Sequence, residues 1–102
     1  MQIYKIEIKD NVHEFIWELW EYIFRHSFSF INSEKVMEEI YKEIFSLKIF
    51  PNRCPQFNEK YRVLTINKRY RVFFIVSEEN QKVIISRIFA SFENYENTLE
   101  NY

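Results

Sequence analysis

Apolar and polar positions change their period along the chain, and each change marks an element. Tyr4, Ile6 and Ile8 alternate with Lys5, Glu7 and Lys9. A period of two predicts a half-buried strand. The period then lengthens. Val12, Phe15, Ile16, Leu19, Trp20, Ile23 and Phe24 recur at intervals of three and four, which predicts a helix with an apolar stripe. Asn11 and Glu14 have the spacing of a capping box at its start. Glu14, Glu18, Glu21 and Arg25 fall on the opposite face. Trp17 widens the apolar side and leaves a narrow polar stripe. Such a helix is covered by both a sheet and a second helix, or it offers a surface to a dimer or partner.

The uncharged stretch His26–Ser33 predicts a break, with Asn32 or Ser33 as the cap of a second helix. Val36, Met37, Ile40, Ile44 and Leu47 form its apolar side, and Glu34, Glu38, Glu39 and Lys42 face water. Acidic residues load the early part of both helices, as the helix dipole favours. Pro51 and Pro55 end the helical region, since each biases the preceding residue away from helix.

A loop to Lys60 leads into three strand-like runs, Tyr61–Ile66, Tyr70–Val76 and Lys82–Phe89. Their short connections imply antiparallel hairpins. Asn67 and Asn80 are the turn residues best able to take a left-handed backbone. The run Val72-Phe73-Phe74-Ile75-Val76 is apolar on both faces, as a central strand is. The segment from Ser91 to Tyr102 is acidic and has helical spacing through Phe92, Tyr95 and Leu99. The order β-α-α-β-β-β predicts an α+β, two-layer sandwich. Two N-terminal helices pack on one face of a mainly antiparallel four-stranded sheet, with a short C-terminal helix as an addition. Residues 1–102 read as one domain, with no repeat or low-complexity segment.

Composition narrows the function classes. The chain has no glycine among 102 residues, where average usage gives about 7 per hundred. Phosphate-cradling GxxxxGK[ST], dinucleotide GxGxxG and the GxSxG nucleophile elbow are therefore excluded. Cys54 is a single cysteine, so no intrachain disulfide forms, which fits a reducing compartment. The N-terminus lacks a signal-peptide run, and no stretch reaches the 18 or so uncharged apolar residues of a membrane span. A cytoplasmic protein that does not enter a membrane is expected.

Net charge is −1, but it is unevenly spread. Residues 1–47 carry five Lys/Arg against nine Asp/Glu, residues 48–87 nine against three, and residues 88–102 none against three. The basic stretch contains Arg62 in phase with Leu64 and Ile66, and Arg71 in phase with Phe73 and Ile75. It also contains Arg87, in phase with Val83, Ile85 and Phe89. Guanidinium groups offer planar fixed donors to phosphate or carboxylate. Arg53, Lys60, Lys68 and Arg69 surround them. With Tyr61, Tyr70 and the phenylalanines they form a basic, aromatic-rich surface suited to a nucleic acid or an acidic segment. The competing reading pairs these arginines with Glu7, Glu59 or the acidic tail. His13, His26 and Cys54 share no ligand spacing, so no metal is expected. Nor does any motif call for a cofactor. Arg53 beside Cys54 is a reason to expect a lowered thiol pKa, against the plainer reading of a structural loop thiol. His13 reads as an exposed first-turn residue and His26 as a helix-end residue.

Leu47-Lys48-Ile49-Phe50-Pro51, Tyr61-Arg62-Val63-Leu64, Tyr70-Arg71-Val72-Phe73-Phe74 and Arg87-Ile88-Phe89 occur here in order. Together with the element order, they resemble the RelE/ParE superfamily of toxins over nearly the whole chain. The loop Phe50–Pro55 is similar to one found in a branch of that superfamily. The resemblance implies the toxin of a type II (plasmid-stabilisation) toxin–antitoxin pair, cytoplasmic and bound by a cognate antitoxin. Two mechanisms live on such a fold. RelE-like members act at the ribosome as mRNA endonucleases, and ParE-like members poison DNA gyrase without catalytic side chains. For the nuclease, the resemblance assigns Arg71 to the scissile phosphate, with Arg62 as a second candidate and Tyr95 as general acid. Residues 90–95 carry no His, Lys or Arg, where the nucleases concentrate such groups. The expectation therefore leans to the ParE-like mode. The alternatives are the nuclease and a degenerate toxin that only binds its antitoxin. Arg53, Lys60, Arg62, Lys68, Arg69, Arg71 and Arg87 are the expected contacts for target or antitoxin, and a homodimer through the first helix is allowed.

Overall fold

The structure is a computed structural model and describes residues 2–90. Strand β1 (Lys5–Ile8) leads into helix α1 (Asp10–Ser27), which turns back as helix α2 (Phe30–Phe45). Two 3-10 turns, Ser46–Lys48 and Pro51–Arg53, begin the crossing to the second half. Strands β2 (Arg62–Ile66), β3 (Tyr70–Ser77) and β4 (Lys82–Ala90) complete the sheet, whose spatial order is β1-β4-β3-β2. β1 runs parallel to β4, and the other two pairings are antiparallel. This is the expected α+β sandwich. The proposed C-terminal helix lies outside the described residues, as does Tyr95.

The helices pack on one sheet face. Val12 and Ile16 of α1 and Ile40 and Ile44 of α2 are buried against Leu64, Val72, Phe74, Val83 and Ile85. Removing such aliphatic side chains from water supplies about 1.5–3 kcal/mol each. The opposite face carries a smaller cluster, in which Tyr61, Phe73 and Phe89 are buried with Phe57 and Val63 against them. Phe57 and Phe89 stand edge-on to Phe73, with ring centroids 5.1 and 5.7 Å away. Edge-to-face geometry suits the ring quadrupoles. Phe73 is fully buried, so β3 is apolar on both faces as predicted.

Several local expectations are corrected. Asn11 does not cap α1. Lys9 holds the cap position without a side-chain bond, and Asn11 Nδ2 instead donates to Ser86 O at 3.0 Å. The cap of α2 is Ser29, whose Oγ accepts from Asn32 N at 3.1 Å, and Ser33 lies buried inside the helix with its hydroxyl donating to Ser29 O. The break between the helices is therefore only Phe28-Ser29, and the first turn of α2 has no acidic residue. A glycine-free chain must make its left-handed turns from other residues. Asn67 does so as expected, joined by Lys68, but at the next hairpin Gln81 rather than Asn80 takes the positive φ. Phe28 and Phe50 complete the set, at φ 53° and 50°.

The largest correction concerns β4. Phe73 pairs with Arg87, yet Phe74 pairs with Ile85, so Ser86 is an extra residue forming a bulge. A one-residue insertion turns every later side chain to the other face. Val83 and Ile85 point into the helix-side core, whereas Arg87 and Phe89 lie opposite Phe73 and Arg71 on the other face. Arg87 is thus out of phase with Val83 and Ile85.

Candidate functional site

The bulge and the aromatic cluster together shape the sheet face that the helices leave uncovered. Arg71 and Arg87 sit on neighbouring strands at diagonal positions, because Arg71 opposes Phe89 and Phe73 opposes Arg87. Diagonal neighbours lie about 7–8 Å apart and are within reach of one another's long side chains. Arg71 Nη1 is buried and has no hydrogen-bond partner among the described residues. A cationic donor left so is expensive, and it is the kind of group a ligand satisfies.

Beside Arg87 the face opens into a cleft of about 460 Å³. Lys9, Asn11, Lys60, Tyr61, Ser86 and Arg87 supply its polar groups, over a floor of Ile75 and Ile84. Three cations and one phenol over an apolar floor can hold a phosphate or carboxylate with an attached ring. Lys60 stands 5.3 Å from the Tyr61 ring centroid. The loop that carries both is closed by Asn58, whose Oδ1 accepts from Lys60 N and Tyr61 N at 2.8 Å each. Phe57 N donates to Tyr61 O at 2.8 Å, which brings Phe57 back over Phe73.

The other predicted arginines have different surroundings. Arg62 opposes Phe74 and so belongs to the helix-side face at the sheet edge. Its Nη1 donates to Cys54 O at 2.6 Å and to Asn52 O at 3.3 Å, tying the 50–55 loop to β2. Arg53 donates to Ile49 O at 2.7 Å, Phe50 O at 3.0 Å and Ser46 Oγ at 2.9 Å, closing the end of the first 3-10 turn. Lys68 and Arg69 are exposed at the β2–β3 turn. The structure therefore gathers Lys60, Arg71 and Arg87, keeps Lys68 and Arg69 at one end of the sheet, and gives Arg53 and Arg62 backbone oxygens as partners. It adds Lys9, Asn11 and Ser86, which no sequence pattern marked. Asn11 was visible only as a cap, and the bulge at Ser86 has no signature in a chain without glycine.

The remaining candidates lie elsewhere. His13 exchanges a 2.7 Å hydrogen bond with the Tyr41 hydroxyl between the two helices, and His26 Nδ1 lies 2.9 Å from Tyr22 O. Neither imidazole lines the cleft. Cys54 is buried, and that burial raises its thiol pKa against the opposing pull of Arg53 and Arg62. The lowered thiol expected from Arg53 is overturned by this desolvation. Among the described residues no three His, Cys, Asp or Glu side chains stand together in a metal-holding group. No described helix is long and apolar enough to cross a membrane.

No protein-family model and no curated protein matches the sequence. The fold does match solved chains. One belongs to the chromosomal ParDE TA system from P. aeruginosa, with a TM-score of 0.74 at 14% identity over 88% of this chain and 98% of that one. The likeness thus extends to the three-dimensional arrangement: this chain and that ParDE chain share one fold.

Proposed function

We propose that this protein is the cytoplasmic toxin of a type II toxin–antitoxin pair and that it arrests growth in the ParE-like way, by binding DNA gyrase rather than by cutting RNA. The fold likeness supports the first half of this reading. The second half is carried by one observation: among the described residues the cleft beside Arg87 is lined by cationic and neutral polar groups, with no histidine or carboxylate. Its polar groups are Lys9, Lys60, Arg87, Asn11, Ser86 and Tyr61, and Arg71 stands diagonal to Arg87. Both histidines sit on α1, outside the cleft. General acid–base catalysis contributes about 10²–10⁴-fold when a group with a pKa near the working pH is in reach. A face built of arginine, lysine and phenol is suited instead to gripping an anionic or acidic surface. The antitoxin is a second partner for the same face, as an acidic or amphipathic segment that masks it.

Pulse-labelling after induced expression tests the reading. Prompt loss of DNA synthesis with gyrase-linked breaks is the expected result. Prompt loss of protein synthesis with codon-phased mRNA cuts would assign the ribosome-dependent endonuclease instead, with Arg71 on the phosphate. Growth without any defect would leave a chain that only binds its antitoxin.

A further inference from the structure

A second pocket stands at the end of the sheet where β1 begins and the β3–β4 hairpin turns. It encloses about 250 Å³ and is lined by Gln2, Tyr4, Ile49, Phe50, Asn52 and Glu78. Of these residues Glu78 alone carries a charge. The Tyr4 hydroxyl donates to one of its carboxylate oxygens at 2.7 Å, and Asn52 Nδ2 donates to the other at 3.1 Å. Both bonds fix the carboxylate in place and hold its pKa low, so it is ionised at neutral pH. A carboxylate has about four lone-pair positions, and these bonds occupy two of them. Among the described residues Glu78 forms no ion pair. Arg62 acts on it through its charge, but Nη1 of that guanidinium is held by Cys54 O and Asn52 O.

The same pocket has an apolar wall that the chain holds out of the core. Phe50 is 65% exposed. It takes φ 50° and ψ 59°, a left-handed conformation that disfavours any residue with a Cβ. Arg53 keeps it there, since its N and Nη1 both donate to Phe50 O, at 3.2 and 3.0 Å. Ile49 lies beside it and pairs with Ile3, which is 62% exposed and extends the apolar rim. An ionised carboxylate next to an exposed ring suits a planar cation. Guanidinium meets a carboxylate through paired N–H donors and lies against aromatic faces, whereas an ammonium is compact and strongly hydrated. The 250 Å³ of this pocket fall below the roughly 300–1,000 Å³ of sites for drug-sized ligands, so a group the size of one side chain fills it. We propose that the pocket binds a guanidinium group on an aliphatic stem, with the cation on Glu78 and the stem against Ile49 and Phe50. The pocket shares no residue with the cationic cleft, so the inference does not depend on the toxin reading.

The experiment titrates the full, nitrogen-15-labelled chain with butylguanidinium and follows amide shifts by NMR. Butylammonium and the neutral isostere butylurea are titrated beside it. Butylguanidinium should give saturable shifts at the Glu78 and Asn52 backbone amides and at the Asn52 side-chain amide. Butylammonium should bind about threefold or more weakly, and butylurea should not saturate. Glu78→Gln, which keeps the shape and discards the charge, should weaken butylguanidinium about fivefold or more. Phe50→Ala should weaken it about threefold, and Glu79→Gln, outside the pocket, should leave it unchanged. Circular dichroism checks that the variants remain folded, and the comparison of the three ligands on the parent chain needs no variant. The blocked tripeptide acetyl-Leu-Arg-Leu-amide separates two sources of the same group. Tighter binding than butylguanidinium assigns the pocket to an arginine of a polypeptide, and equal or weaker binding assigns it to a free guanidino compound. Equal binding of butylurea or of butylammonium would overturn the inference. So would the absence of shifts at Asn52 and Glu78, or binding that survives Glu78→Gln undiminished.

Discussion

The same substitution at two arginines of neighbouring strands should change stability in opposite directions. Arg71 Nη1 is buried without a hydrogen-bond partner among the described residues. An unsatisfied buried donor costs about 1–3 kcal/mol, and more when charged. Methionine keeps an unbranched apolar stem of similar reach and discards the donor. Arg71→Met should therefore stabilise the protein by about 1 kcal/mol, which for a domain of this size raises Tm by roughly 4–8 °C. At Arg62 the balance is reversed, because its guanidinium holds Cys54 O at 2.6 Å and Asn52 O at 3.3 Å. Hydrogen bonds to charged groups contribute about 1.5–3 kcal/mol. Arg62 is only partly buried, so the lower end applies. Arg62→Met should cost about 1.5 kcal/mol and lower Tm by roughly 6–12 °C.

Thermal unfolding by circular dichroism at neutral pH reads both changes, and growth after induction reads function. The expected pattern is a more stable, non-toxic Arg71→Met beside a less stable Arg62→Met whose residual toxicity tracks the amount of folded protein. A fall in Tm at Arg71→Met as large as at Arg62→Met would refute the reasoning. Arg71 would then be a structural group like Arg62, and the cationic face would lose its centre. A gain in stability with full toxicity would instead show that the target does not use Arg71.

Phe28 is 84% exposed at φ 53°. Phe28→Asn, which tolerates the left-handed backbone, should gain about 1 kcal/mol and raise Tm by several degrees. A fall in Tm would mean that the ring is held in a contact. The Glu78 carboxylate accepts from the Tyr4 hydroxyl at 2.7 Å and from Asn52 Nδ2 at 3.1 Å, and these bonds, Tyr4 first, lower its pKa below the ordinary 4.5. A lowered folded pKa gives stability that is complete above the unfolded value and is lost as pH falls through the folded one. Denaturant midpoints measured from pH 6 down to pH 2 should therefore show a shallower acid limb for Tyr4→Phe than for the parent. Cys54 should react with a thiol reagent at pH 8 only at the rate of opening, since burial raises its pKa. Stoichiometric labelling of the folded chain within seconds would restore the activated thiol.

Sequence periodicity revealed the fold because the element-forming signals here are long. Ile16, Ile40, Ile44, Val72 and Phe74 are all buried where their spacing puts them. The ends of elements were less legible, because several residue types compete for each end. Ser29, Asn32 and Ser33 can all cap a helix, and the choice of Ser29 depends on how far α1 runs before Phe28 turns left-handed. Asn80 is the better turn residue in isolation, yet β4 starts at Lys82, and the register with Ser77 puts the positive φ on Gln81. Trp17 illustrates the limit of amphipathic reading. Its apolar character was plain, but the second helix leaves it 56% exposed. Periodicity alone does not say which side of a wide stripe the neighbouring helix will cover.

The site was half legible, and the half that was hidden depends on one residue. Reading phase along an unbroken strand puts Arg87 with Val83 and Ile85, which would bury it beneath the helices. The extra residue Ser86 sends Arg87 to the face opposite the helices, diagonal to Arg71 and lining one cleft with Lys60. The bulge is also held from the other layer, because Asn11 of α1 donates to the Ser86 carbonyl. A residue that looks like a helix cap thus holds the carbonyl of the bulge and lines the same cleft as Arg87. A guanidinium on the helix side would need a carboxylate or carbonyls to satisfy it, as Arg62 has. On the face opposite the helices, Arg87 stands diagonal to Arg71. The bulge therefore brings Arg87 to the face that holds Arg71 and Lys60, while Arg53 and Arg62 keep backbone oxygens as partners and Lys68 and Arg69 stay at one end of the sheet.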